Sequence, residues 1–357
     1  MSFTRPMLRA SLLSASALAA SALLAPTAHA QVISLITTPA GTFSNSAASA
    51  MAKVVTDHAK IRMTVQAQAS SGYEELEAGT AELTVSNSFD STFWSTGSGE
   101  YEGKGPSKLL RHVAAMSPYR VAMHVRADSN IQKICDLKGK RVSSDFNAQK
   151  TIGRIIAAHL ANCGLSYKDV IGVPAPNVAR QGEDFKSGKV DVMFFALGAP
   201  QVKEAAAALG VLRVLDVDAS PNAVKRIQDF LPGAYIIPVE PGPTNDGVVK
   251  STNIVGFDMN LNTSAKVSDD IVYRVTKALY ENKKELMETF PPFALFNPQA
   301  MSKPQIGIEF HPGAIKFYQE AKMWPPRAPG APAASPAAAK DEPAKKGNDG
   351  KKGGDKK

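Results

Sequence analysis

The stretch QVISLITTPAGTFSNSAASAMAKVVTDH, residues 31–58, sets the fold class. Residues 32–36 are a short apolar run rich in β-branched side chains, which predicts a strand. Residues 44–58 repeat small and apolar side chains at helical spacing, which predicts a helix. A strand that passes through a tight loop into a helix is the first half of a βαβ unit, and the alternation continues downstream. Strands are expected at 61–65 and 82–85 with a short helix at Tyr73–Ala78 between them, then a polar, Gly-rich surface loop at 95–107. Two apolar runs, 113–116 and 121–125, flank Ser117-Pro118-Tyr119 and can carry the chain into a second α/β set.

That second set reads as strands at 141–143, 170–173, 190–194 and 211–217, with helices at 149–162, 179–187 and 199–209. A return strand at 254–261 and a long helix at 269–288 follow. The fold class is therefore α/β: a two-lobed clamshell, each lobe a mostly parallel sheet flanked by helices. Lobe 1 is expected over 31–117, lobe 2 over 118–253, and 254–326 should pack back on lobe 1. About three hundred residues exceed one ordinary core, and hinge closure around a ligand is the usual motion of such a pair.

Both ends differ from this pattern. Arg5 and Arg9 precede a small-residue, Leu/Ala-rich stretch over 11–25, and Ala28-His29-Ala30 has the form of a signal-peptidase site. The apolar run is shorter than the roughly 20 residues needed to span a bilayer. Residues 1–30 are thus expected to be a cleaved export signal, which puts the mature protein in the periplasm. Residues 327–357 hold Pro, Ala, Gly, Lys and Asp with no aromatic or branched aliphatic side chain, a composition that cannot offset the entropy of ordering. The whole chain carries a net charge of +8, of which the tail holds +4 and the signal +2. Only +2 remains for 31–326, so the basic balance describes the tail and gives no nucleic-acid-binding surface.

Several segments resemble one family. DLKGKRV at 136–142 is similar to a segment that recurs in clamshell periplasmic solute-binding proteins, and HPGAIKFYQE at 311–320 resembles the C-terminal signature of the TAXI family. Asp270-Ile271-Val272-Tyr273 with Lys277-Ala278-Leu279, Gly188 to Val192 with Gly198 and Pro200, and residues 71–90 resemble further blocks of that family. TAXI proteins are the solute receptors of one branch of TRAP transporters. The resemblance implies an extracytoplasmic receptor that binds a small organic anion and delivers it to TRAP membrane subunits. A solute sensor serving a signalling partner is the alternative. Two loops depart from the family pattern: 37–43 reads TTPAGTF and 144–149 reads SDFNAQ, where the family has Gly-rich sequences.

Open α/β sheets bind ligands at the carboxyl ends of their strands. Here those ends are 37–43, 86–90, 143–149 and 196–200, and the first and third run into expected helix N-termini that suit an anionic group. The candidate ligand-binding residues are Thr38, Gly41, Thr42, Phe43, Asn87, Ser88, Asp145, Phe146, Asn147, Ala196 and Gly198. Arg180, and with it Arg120, is a candidate carboxylate partner, because guanidinium binds carboxylate in a fork. Cys135 and Cys163 are either a disulfide or two buried thiols. No Gly-x-Ser-x-Gly, His-Glu-x-x-His or Ser-x-x-Lys motif occurs and the six histidines are scattered, so no enzyme, metal or cofactor is expected.

The mature chain is expected to begin at Gln31. N-terminal sequencing of exported protein checks this, and a soluble form that retains residues 1–30 would contradict it.

Overall fold

The computed structural model describes residues 31–326; the expected export signal and the expected tail lie outside the described residues. Gln31–Thr37 (β1) buries Ile33, Leu35 and Ile36. Its loop feeds Phe43–Ala59 (α1), which Thr42 caps by accepting the Asn45 amide on Oγ1 at 3.3 Å. The buried face of α1 is Ala47, Ala48, Met51, Val54 and Val55, and its small residues let the helix lie close on the sheet. Ile61–Ala67 (β2), Tyr73–Ala78 (α2) and Leu83–Asn87 (β3) follow, with β2 and β3 parallel to β1 on its two sides.

Ser88–Thr96 (α3) starts directly from β3, over a stretch to which the sequence assigned no helix, and only its last two residues fall in the expected loop at 95–107. Ser91 and Thr92 turn their hydroxyls back onto the carbonyls of Asn87 and Ser88, and all but the last residue of α3 is buried. Tertiary packing rather than propensity makes this helix. The two apolar runs flanking Pro118 prove to be one 17-residue strand, Leu110–Arg126 (β4).

Beyond it lie Arg141–Ser144 (β5), Lys150–Asn162 (α4), Ile171–Pro174 (β6), Val178–Lys186 (α5), Met193–Ala196 (β7), Pro200–Leu209 (α6) and Leu212–Val214 (β8). The segment left unassigned before the return strand forms Pro221–Phe230 (α7) and Tyr235–Val239 (β9). Thr252–Ser264 (β10) then brings the chain back. The helix expected over 269–288 is two, Asp269–Glu281 (α8) and Lys283–Thr289 (α9), separated by Asn282. The Asn282 side-chain amide donates to the Ala278 carbonyl at 2.8 Å and takes the acceptor a continuing helix would use.

The HPGA segment opens the last helix, Pro312–Glu320 (α10). His311 caps it: Nδ1 accepts the Gly313 amide at 3.1 Å, so Nε2 carries the proton and donates to the Val267 carbonyl at 3.0 Å. A Cβ on Gly313 would lie 2.3 Å from the Asp269 carbonyl oxygen, so only glycine lets α10 close on the start of α8.

Eight strands form one sheet in the order β2-β1-β3-β10-β4-β7, with β8 also on β4 and β9 also on β10; β5 and β6 make a separate parallel pair. The expected parallel pairing holds for β1–β3 and for β5–β6. Each pairing of β4 or β10 with another strand is antiparallel; apart from these, His112 of β4 makes a single parallel bridge to Phe310. The partners of β4 and β10 change part-way along. β3 pairs with 259–263 of β10, whereas β7 and β8 pair with 121–126 of β4 and β9 with 252–256 of β10. The change falls at a register irregularity between Asp258 and Asn260, opposite Pro118 and Ala115. On one side α1 packs against α8 and α9, and α10 against α8; on the other α4 packs against α7 and α5 against α6. Cys135 and Cys163, at the base of the second group, are joined with their Cα atoms 5.4 Å apart.

Burial lowers His112 and His124 on β4 to about 4, and lowers His159 on α4 as well. These groups stay neutral in the folded chain while the unfolded chain takes up protons below its ordinary value near 6.5. Stability therefore falls as pH drops from 6.5 towards 4, by roughly 3 kcal/mol for a group shifted this far. The buried Asp90 carboxyl, pushed up by desolvation, works in the opposite sense. His124→Met is expected to melt closer to wild type, or above it, at pH 5 than at pH 7.5. An unchanged difference between the two pH values contradicts the assignment.

Candidate functional site

The irregularity in the β4–β10 ladder sits at the floor of a cavity that draws on both halves of the chain. Tyr119 and Val121 come from β4 and Phe257 from β10; Phe194, Phe195 and Ala196 come from β7. Thr38, Thr42, Phe43, Ser44 and Asn87 line it from the first half, and Gln149, Ile152, Ile155 and Val178 from the second. About 450 Å³ of empty space lies between these residues, counted out through the open mouth.

Four helices begin at this cavity. Phe43 and Ser44 open α1, Asn87 caps α3, Gln149 caps α4, and Val178 opens α5. The first-turn amides of a helix have no partner within it, and its N-terminus carries partial positive charge. Local hydrogen bonding fixes the polar walls. Thr42 Oγ1 donates to the Pro39 carbonyl at 2.7 Å, so Thr38 is the donor in the 2.7 Å contact between the two hydroxyls. Ser44 Oγ and Tyr119 OH share one bond at 2.8 Å, which leaves one of their two hydrogens free to donate. Burial raises the Tyr119 phenol, so it remains protonated. Gln149 Oε1 accepts the Val178 amide at 3.1 Å, leaving its amide nitrogen for the cavity, and the Asn87 side chain makes no capping bond to α3. Among the described residues, no charged side chain lines the cavity.

Of the residues expected from sequence, Thr38, Thr42, Phe43, Asn87 and Ala196 meet here. The others do not line the cavity. Gly41, at φ +82°, lies against the Gln201 side chain, and the Gln201 backbone N–H donates to the Gly41 carbonyl at 3.4 Å. Ser88 is buried inside the first turn of α3. Asp145, at φ +53°, accepts from its neighbour Ser144, and Phe146 packs inward beside Gly153. Asn147 faces a second, outer opening with Ser71, Glu100, Tyr101, Lys104 and Lys150. Gly198 lies behind the cavity against Pro292. Arg180 is mostly exposed and held by Asp184 at 2.9 Å, and Arg120 sits between two lining residues of β4 without lining the cavity itself. The rings at 119, 194, 195 and 257 lie within β4, β7 and β10 rather than in the loops beyond strand ends, where the candidates were placed. Their signal was an aromatic residue in each crossing strand and two more at the end of β7.

The outer opening shares Gln149 with the cavity. Beside it Glu100 of the first half accepts a hydrogen bond from Arg154 Nε of α4, and the guanidinium lies 4.7 Å above the Phe93 ring. Asp90 holds this corner together by accepting from Ser71, Tyr73 and Tyr101, the last next to Glu100. The Glu100–Arg154 pair therefore bridges the two halves.

Residues 35–321 match the model of the NMT1-like family. The chain belongs to the NMT1-like family. Two solved structures share the fold, at TM-scores of 0.51 and 0.50. One described as a periplasmic transporter is 13% identical, with a TM-score of 0.51 over 84% of this chain and 94% of that one. A protein from Bordetella bronchiseptica RB50 is 10% identical, with a TM-score of 0.50 over 82% and 98%. The alkanesulfonate-binding protein of Xanthomonas axonopodis pv. citri, bound to MOPS, is 15% identical over 82% and 90%, with a TM-score of 0.46. The architecture of this NMT1-like chain is that of the two-lobed periplasmic binding proteins.

Glu100→Gln removes the charge that bridges the halves without entering the cavity. Small-angle scattering of the free protein is expected to show a larger radius of gyration, and solute affinity should fall less than about tenfold, as suits a partly exposed ion pair. An unchanged radius would mean the pair does not hold the cleft.

Proposed function

We propose that this NMT1-like chain is an extracytoplasmic solute receptor that closes on a small organic anion. The observation that carries the reading is the cavity between the two halves, at which four helix N-termini begin. An anionic group there takes hydrogen bonds from unpaired amides and from Asn87, Gln149 and the Ser44–Tyr119 pair, while the rings cover its carbon skeleton. Thr38, Thr42, Phe43, Asn87 and Ala196 are ligand-contacting residues in this reading. Because the contacts come from both halves, full binding is possible only when they are together, so the ligand shifts the open–closed equilibrium. The likeness to TAXI receptors supports delivery of the solute to TRAP membrane subunits, with dicarboxylates, keto acids and acidic amino acids as the solute classes. The signal-like residues 1–30 support a periplasmic location. The chain is read as a carrier without catalytic activity, and no cofactor enters the reading.

Asn87→Asp tests the polarity of the site. A carboxylate at a helix cap is neutral or favourable for folding, so the free protein should melt at or slightly above the wild-type temperature. The same charge faces the bound anion, and affinity should fall at least tenfold by calorimetry. Equal affinity would show that the anion does not sit at these helix starts.

A further inference from the structure

We infer that the solute is a monocarboxylate with an uncharged, ring-sized apolar body, an arylalkyl acid or its keto acid, rather than a short dicarboxylate or an amino acid. This rests on the receptor reading above, keeps its organic anion and its keto acids, and replaces its dicarboxylates and acidic amino acids with arylalkyl acids. Five rings, Phe43, Tyr119, Phe194, Phe195 and Phe257, line the cavity, joined by Val121, Ile152, Ile155 and Val178. Phe43 and Tyr119 have ring centroids 5.4 Å apart, and Tyr119 and Phe257 5.5 Å, so they form one continuous aromatic wall. Aromatic ligands pack on such walls by offset or edge contacts of the same spacing.

Charge decides the rest. Helix N-termini and neutral donors can hold one carboxylate, and the lining offers no Lys, Arg or His for a second. In a short diacid the second carboxylate would lie against phenyl and aliphatic groups, where an unpaired charge is strongly disfavoured. An amino acid brings an ammonium, which needs an acidic partner. The lining contains no Asp or Glu, and the positive ends of four helices repel a cation. Lys104 and Lys150 belong to the outer opening, which shares only Gln149 with the lining of the cavity.

The test is calorimetric titration of the mature protein with phenylacetate, phenylpyruvate, L-phenylalanine, succinate and L-glutamate. Phenylacetate and phenylpyruvate are expected to bind at least tenfold more tightly than succinate and glutamate. Phenylpyruvate should also exceed phenylalanine by at least tenfold, since the two differ only in keto group against ammonium. Ala196→Leu, which puts a branched side chain into the cavity, should weaken phenylacetate at least tenfold. Should succinate, glutamate or phenylalanine bind as tightly as the aryl acids, the inference fails and the receptor reading stands. Should no carboxylate bind, the receptor reading itself fails. Unchanged phenylacetate binding by Ala196→Leu, with the variant folded by its melting curve, places the acid outside the cavity and overturns the inference.

Discussion

The antiparallel ladder between β4 and β10 belongs to both halves of the molecule at once. Each strand is long enough to serve one group of partners with one end and a different group with the other. The exchange happens where regular pairing lapses, at Pro118, which has no amide to give, and Asp258 opposite it. A continuous ladder would resist bending between the halves, whereas a lapse in register supplies a local place for it. Tyr119 and Phe257 stand paired beside this lapse, so the cavity floor is made by the same residues that join the halves.

From that floor the rest of the site follows by strand direction. β1, β3, β5 and β6 all end towards the cleft, and the helices beginning just beyond those ends, α1, α3, α4 and α5, bring their N-termini to the cavity. The cavity is polar only through helix ends and neutral side chains. Its formal charges are kept at the outer opening, where Glu100, Arg154, Lys104 and Lys150 lie. Discrimination inside then depends on where a solute carries its charge as much as on how large it is.

Periodicity and strand-end reasoning made much of this legible. The α/β alternation, the capping of α1 by Thr42 and the strand-end residues Thr38, Phe43, Asn87 and Ala196 could all be read from local pattern. What could not be read depended on partners distant in sequence. SFDSTFWST has poor helical propensity and becomes α3 because its neighbours bury it. The helix over 269–288 breaks because one asparagine turns its side chain inward. Arg180 has the right chemistry for a carboxylate, but Asp184, one helical turn along, already holds it. Gly41 and Gly198, expected at the ligand, have positive φ but do not line the cavity. Each is required where the two halves touch, against Gln201 and Pro292, rather than where a solute would lie.

The order of the chain also bears on how the molecule is made. The second group of elements is continuous in sequence, and its disulfide closes a loop of 28 residues wholly inside it. The first group is split: β3 acquires its inner neighbour only from β10, and α1 is covered only by α8 and α9. A chain emerging amino end first therefore presents β1, α1 and β3 with one flank uncovered until some two hundred residues later. Such long-range closure is slow and leaves apolar surface open to aggregation in the meantime. The later half can mature first and act as the template on which the earlier half completes itself.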